Sequence, residues 1–274
     1  MTINCNGNLI DLSTPKIMGI LNITPDSFYD GGKHKDEYGI LKHVEKMLVE
    51  GATFIDVGAY SSRPGAPVVS ESLELKRILP IIELILKKFP DTLISIDTFR
   101  GAVAKACIAL GATMINDISA GLRDNSLLPT VAELKVPYIM MHMKGTSKTM
   151  QAQTAYEDLI KDILFFFSER LATAKARGIK DIIIDPGFGF AKTLAQNYVL
   201  LNKLALFHMT AHPVLVGLSR KSMIYKLLEN TPEEALNGTT ALHMLALNKG
   251  ANILRVHDVK EAMECVKLHE QLEA

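Results

Sequence analysis

The stretch GATFIDVG at residues 51–58 decides the fold, because it returns as GATMINDI at 111–118 and GANILRVH at 250–257, with GIKDIIID at 178–185 a looser fourth copy. In each copy a glycine able to turn left-handed closes a helix, and a short run of mainly apolar residues then reads as a buried strand. Between the copies apolar residues fall at helical spacing, as in Leu41, Val44 and Leu48, or Leu159, Ile163, Phe167 and Leu171. Strand and helix therefore alternate along the chain.

Working outward, apolar runs near 16–22, 53–58, 92–97, 113–117, 137–142, 181–185, 213–217 and 252–256 read as eight strands. Eight near-continuous apolar strands, each followed by a helix, fit a closed parallel sheet covered on both sides, an α/β architecture of the (β/α)8 TIM barrel kind. TINCNGNLIDL at residues 2–12 predicts a short N-terminal β-hairpin with an Asn-Gly turn. A doubly wound open sheet is the competing topology. The barrel is preferred because GxGxxG is missing after the first strand and no polar linker divides the chain, so residues 1–274 read as a single domain. Pro80, inside the helical stretch 70–88, predicts a kink or a second helix start.

The chain has 274 residues, 48% of them hydrophobic, enough for a large core, and the length alone suits one barrel or two smaller domains. Thirty basic and thirty acidic residues cancel, so nothing global points to nucleic acid or to a membrane surface. The three cysteines, Cys5, Cys107 and Cys265, are odd in number and widely spaced, which argues against a disulfide framework or a zinc cluster. No basic-then-apolar leader opens the sequence, and no stretch approaches the roughly 18 uninterrupted apolar residues of a membrane span. A soluble, unprocessed, cytoplasmic protein is expected.

The loops that follow strands, at 23–36, 59–70, 143–153 and 186–193, are long, and this is the face on which barrels carry their chemistry. The strand tips facing it are polar: Asn22, Asp56, Asp97, Asn116 with Asp117, His142, Asp185, Ser219 and His257. One such residue is as well explained as a helix cap, but eight around one mouth suggest a polar pocket. IIIDPGFGF at 182–190 delivers Asp185 on a rigid strand. A carboxylate only accepts hydrogen bonds, so it suits a ligand edge that offers N–H donors. Phe188 and Phe190 could face a flat ring, or one of them could be anchored in the core.

In GLSRKS at 217–222, Arg220 and Lys221 open a helix, where positive charge is disfavoured, so an electron-rich partner is expected. SSRPG at 61–65 carries two hydroxyls and Arg63, whose guanidinium can grip phosphate in bidentate fashion. Alternation places Arg255 and His257 on the face opposite Val256, unless the strand ends first and both turn to the rim. His142 and His257 alone make a poor metal cluster, and the methionines around His142 read as core packing with one ring contact. His208, His212 and His243 fall in or beside predicted helices.

Taken together, GILNITPDSFYDGG at 19–32, DVGAYSSRPGA at 56–66, SIDTFR at 95–100, IND at 115–117, DPGFGFAKT at 185–193, GLSRKS at 217–222 and RVHDV at 255–259 resemble the dihydropteroate synthases. The resemblance runs nearly the length of the chain in the right order. It implies condensation of a dihydropterin pyrophosphate with p-aminobenzoate, releasing pyrophosphate on the way to folate.

By the same resemblance, Asp97, Asn116, Asp185, Gly217 and Lys221 match pterin-binding positions, with Met140 packed against the ring. Asn22, Arg255 and His257 match the pyrophosphate site, and Asn22 also meets Mg²⁺. Ser62 and Arg63 match a mobile loop that closes over the phosphates, Ser62 standing where threonine is common. Phe28, Pro64, Phe190 and Ser222 match the walls of the p-aminobenzoate pocket, where sulfonamides compete. Asp30 matches a carboxylate that stabilises a pterin cation, Lys221, Arg63, Arg255 and His257 join it in catalysis, and a homodimer through outer helices is implied. A pterin-dependent methyltransferase on a similar barrel is the alternative, although it has no need of the SSRPG loop; a non-catalytic pterin-binding paralogue is a third.

Overall fold

The computed structural model describes residues 1–23, 33–60 and 69–273. Its repeated glycines do what the sequence asks of them. Gly51, Gly111, Gly178 and Gly250 take φ values of 103°, 112°, 87° and 88°. Each sits where the chain leaves a helix for a strand, a conformation that costs other residues roughly 1–2 kcal/mol.

A two-stranded antiparallel hairpin comes first, β1 (Thr2–Cys5) and β2 (Asn8–Asp11), turning through Asn6 and Gly7 at φ 53° and 91°. Eight parallel strands follow: β3 (Lys16–Asn22), β4 (Phe54–Gly58), β5 (Leu93–Asp97), β6 (Met114–Asp117), β7 (Tyr138–Met141), β8 (Ile182–Asp185), β9 (Leu215–Val216) and β10 (Ile253–Val256). The helices are α1 (Lys33–Val49), α2 (Glu71–Lys88), α3 (Gly101–Ala109), α4 (Leu127–Leu134), α5 (Leu159–Ala176), α6 (Leu194–Asn202), α7 (Ser222–Tyr225), α8 (Leu236–Asn248) and α9 (Val259–Glu273). The sheet order is β8-β7-β6-β5-β4-β3-β10-β9, and a parallel bridge between Ile184 and Val214 joins its two ends. The barrel with its hairpin is the expected fold.

Two details differ from expectation. β9 holds only two residues rather than the span 213–217, because Pro213 has no N–H for a ladder and can only accept, which it does from Ile184 N at 2.9 Å. α2 runs through Pro80 without a second start; its beginning is fixed by Ser70, whose Oγ accepts from Leu73 N at 3.3 Å.

Alternation divides the barrel side chains into two cores. Outward-facing Ile55, Val57, Ile96, Ile115 and Ile184 pack under helix residues such as Ile78, Ile82 and Phe167. Inward-facing Met18, Phe54, Met114, Ile139, Ile183, Leu215 and Ile253 fill the lower barrel, plugged by Ile3, Cys5 and Leu12 of the hairpin region. Each large side chain buried this completely contributes about 1.5–3 kcal/mol. Two residues further along, the inward positions are Ile20, Asp56, Ser95, Asn116, Met141, Asp185, Gly217 and Arg255. Ladder registers Asp56↔Ser95, Asp97↔Asn116 and Met141↔Asp185 set these groups side by side.

Candidate functional site

The polar layer is tied together from within. Arg255 reaches inward, with Nε 2.6 Å from Asp56 Oδ2 and Nη2 3.0 Å from Asp97 Oδ2. Burial alone would lower the Arg255 pKa, yet Asp56 and Asp97 outweigh it and push it up. Asp97 is pushed up to about 7 by burial, against the pull of Arg255, with Asp56 adding to the rise. Asn116 donates its Nδ2 to Asp56 Oδ2 at 3.0 Å, which leaves its own amide oxygen as an acceptor. Asp56 Oδ1 and Ser95 Oγ, neighbours in the ladder, are buried with no hydrogen-bond partner. Buried acceptors of that kind mark a place for water or a ligand donor.

Asp185 caps the layer from β8. Its Oδ1 accepts from Gly187 N at 2.8 Å, which leaves its second oxygen as a further acceptor. Burial raises its pKa, opposed first by Lys221 and then by the Gly187 N–H, Arg255 and Lys192. Gly187, at φ 75°, could carry no side chain, since a Cβ there would overlap the carbonyl oxygen of His142. The loop ends in a capping box: Gln196 N bonds to Thr193 Oγ1 at 3.2 Å, and Thr193 N to Gln196 Oε1 at 2.8 Å.

Lys221, the extended residue before α7, folds across this loop. Its ammonium donates to the Phe188 carbonyl and lies 4.8 Å from the Phe190 ring centroid. Burial lowers it to about 8, while Asp185 raises it and Arg255 lowers it further. Arg220 pairs with Asp258 through two bonds of 2.8 Å each. These are the electron-rich partners that two cations ahead of a helix require. Gly217 leaves open the space beside Lys221, a built Cβ there meeting only the ammonium at 3.7 Å. Ser222, half-buried, begins α7 beside it.

Asn22, exposed, ends β3 at the mouth. His257 lies just past β10 and is exposed at the rim, its Nδ1 3.0 Å from Ser219 Oγ. The strand has thus ended before His257, while Arg255 remains inside. Phe28, Asp30, Ser62, Arg63 and Pro64 lie outside the described residues.

Three expectations are corrected by alternation along β6 and β7. Met140 does not face the cavity: it shares the helix-side core with Tyr138 and Ile115, and Met141 is the methionine on the inner face, two residues above Ile139. Asp117 also faces outward, bound by Tyr138 Oη at 2.6 Å, Ser119 N at 2.8 Å and Gly121 N at 2.5 Å. His142 packs edge-on against Phe166 at 4.9 Å instead of joining the mouth. Of the two phenylalanines in the β8 loop, Phe188 is fully buried in the helix-side core and Phe190 alone approaches the cavity. Asp56, a strand tip with no assigned role, proves to be the hub of the floor. Its parity with Phe54 carried that signal.

A planar ligand edge with N–H donors would meet Asp185, the Asn116 oxygen and the orphaned Asp56 oxygen, while a ring carbonyl would meet Lys221. Among the described residues no group of three or more His, Cys, Asp or Glu could hold a metal ion. Asn22 offers one amide oxygen, which fits Mg²⁺, an ion that keeps waters and takes most of its remaining ligands from phosphate.

The family profile for pterin binding enzymes matches residues 18–257. A dihydropteroate synthase of Escherichia coli (strain K12) is 44% identical over 272 residues, covering 98% of this chain and 96% of the relative. Among solved structures, the Yersinia pestis dihydropteroate synthase with a sulfonamide drug complex has a TM-score of 0.93 and 43% identity, covering 100% of this chain and 99% of that one. The Xanthomonas albilineans dihydropteroate synthase in complex with 7,8-dihydropteroate has a TM-score of 0.89 and 36% identity, with 100% and 99% covered. The family profile and relatives matched over nearly their whole length agree: the chain belongs to the pterin-binding enzyme family, among its dihydropteroate synthases.

Proposed function

We propose that this protein joins 6-hydroxymethyl-7,8-dihydropterin pyrophosphate to p-aminobenzoate, giving 7,8-dihydropteroate and pyrophosphate. It is a transferase of folate biosynthesis and a sulfonamide target, like the relatives it matches over nearly its full length. The observation that carries the residue roles is the gathering of two acceptors, Asp185 and Asn116, at the upper end of the barrel with the Lys221 ammonium beside Asp185 across the β8–β9 seam. The pterin amino and ring N–H groups bond to the two acceptors, and Lys221 holds the ring carbonyl. With Arg255 committed to Asp56 and Asp97, the floor is rigid before the ligand arrives, so little reorganisation remains at the moment of reaction.

At the rim, His257 with the Arg255 guanidinium below it would receive the pyrophosphate together with Arg63, and Phe190 and Ser222 would wall the p-aminobenzoate site with Phe28 and Pro64. Asn22 would hold Mg²⁺ beside the phosphates, where the ion supplies charge stabilisation for the leaving group. By the family resemblance Asp30 would stabilise the positive charge that develops on the pterin methylene carbon, and segments 23–36 and 59–70 would keep water from that carbon.

No helix of the described residues is long and apolar enough to cross a membrane. Cys5, Cys107 and Cys265 are free and buried, with burial pushing the first two up to about 12, which suits a reducing cytoplasm. A homodimer through outer helices follows from the family resemblance, and a monomer mass by light scattering would refute it.

The deciding assay mixes purified protein, Mg²⁺, dihydropterin pyrophosphate and p-aminobenzoate, and follows dihydropteroate and pyrophosphate together. Equal amounts of both are expected. Pterin binding with neither product would overturn the catalytic reading and leave a binding protein.

A further inference from the structure

Lys192 has no place in the chemistry above, yet it is one of the most enclosed charges in the molecule, 3% exposed. Its ammonium is ringed by three acceptors: Gly187 O at 2.9 Å, Phe190 O at 3.1 Å and His142 Nδ1 at 3.1 Å. Two of these are carbonyls of the turn that begins at Asp185, and the third belongs to the residue just past β7. An ammonium has three N–H donors and no acceptor, so this cage uses it fully. The cage requires His142 to present an unprotonated Nδ1. Consistent with that, burial holds the His142 pKa down to about 2, with Lys192 and Lys144 lowering it further.

We propose that Lys192 is a positioning residue for the pterin-binding carboxylate: its buried ammonium holds the 185–190 turn closed and supplies Asp185 with a positive charge additional to that of Lys221. The turn needs such a clamp. Gly187 and Gly189 both take positive φ, at 75° and 80°, so the backbone there resists little by itself. Gly187 N is the donor that fixes Asp185 Oδ1, and Gly187 O is the acceptor that Lys192 holds. One peptide neighbourhood therefore links the clamp to the carboxylate. Charge acts in the same direction. Lys192 lowers the Asp185 pKa, and Asp185 in turn opposes the burial that pulls Lys192 down to about 7. The charged groups acting on the pair are Lys221 and Lys144 on Lys192, and Lys221 and Arg255 on Asp185.

This inference rests on Asp185 being the pterin ligand, and the experiment separates the two ideas. Dihydropterin pyrophosphate with Mg²⁺ is titrated calorimetrically into the parent, Lys192→Met, Lys192→Gln and Asp185→Asn proteins over a range of pH, without p-aminobenzoate. Lys192→Met should bind about tenfold more weakly, with the acid limb of its affinity profile moved to higher pH by about half a unit or more. Lys192→Gln, which keeps N–H donors for the carbonyls, should recover affinity near neutrality but keep the displaced acid limb. The displaced acid limb is the readout that general loosening of the barrel would not give, since loosening alone lowers affinity without moving the pH at which Asp185 titrates.

Parental affinity and a parental acid limb in Lys192→Met would overturn the proposal. If that variant does not fold, an unmoved acid limb in Lys192→Gln does so. In the unaltered protein, nitrogen NMR should find His142 Nδ1 without a proton across about pH 5 to 8, and an Nδ1–H tautomer would also overturn it. Equal affinity in Asp185→Asn and parent would instead remove the Asp185 reading itself.

Discussion

The lower and upper halves of the barrel interior are built on the same strands, two residues apart, and could hardly differ more. Below, Phe54, Met114, Ile183 and Ile253 form a dry core closed by the hairpin. Above them, on the same inner face, stand Asp56, Asn116, Asp185 and Arg255. The step along each strand is about 7 Å, and across it the interior changes from apolar contact to buried charge. The lower half gives stability without chemistry. The upper half takes on charges whose burial is expensive unless each finds a partner, and it meets that cost with the Asp56–Arg255–Asp97 network.

The largest break in this contrast should come from Arg255→Met. Two carboxylates would then stand buried without their cation, and stability should fall by about 3–5 kcal/mol in urea denaturation, with pterin binding lost as well. Ile183→Ala, one layer down, should cost about 2–5 kcal/mol through the cavity it leaves. Pterin affinity in the folded protein should stay within about twofold of the parent, because nothing from the lower layer reaches the ligand. A large change in affinity there would show that the layers are coupled.

Asp185→Asn should do the converse. An amide that is half donor replaces an acceptor, and pterin affinity should fall about 30-fold by calorimetry, close to 2 kcal/mol. Stability at neutral pH should be equal or higher. The native carboxyl pKa is raised above its ordinary value, so the ionised form destabilises the fold at any pH above it, and the neutral side chain removes that load. The smallest effect is that of pH on the parent. Affinity should decline as pH falls through the raised Asp185 pKa, and again as it rises through about 7 to 8, where Lys192 and then Lys221 lose their protons.

The same two-residue step explains what the sequence could and could not reveal. Glycine punctuation and β-branched runs fixed eight strands and the hairpin, because those signals are local. The motif residues Asp97, Asn116, Asp185, Lys221 and Arg255 do converge, and their polar identity on apolar strands marked them in advance. Facing was harder. Met140 and Met141 are identical in composition, and only the parity of β7, visible once Ile139 is placed among the lower inner residues, separates them. Asp117 ends a strand as Asn116 does, but turns outward to Tyr138. Asp56 and Lys192 act through partners 60 or 199, and 50, residues away, Asn116 and Arg255 for the first and His142 for the second. No spacing rule connects such distant pairs before the barrel is closed.

That closure is uneven around the circumference. β8 and β9 meet through one bridge, Ile184 to Val214, with Ile184 N donating to Pro213 O at 2.9 Å. Asp185 stands on one side of this seam, and Gly217 with the Lys221 turn on the other. In cooper's terms it is the loosest pair of staves, and a ring held by Asp185 and Lys221 is a clasp across it. Ligand occupancy would thus tighten the hoop where it is weakest, and the Ile184 amide, open to deuterium through transient parting of the seam, would exchange more slowly once the clasp is in place.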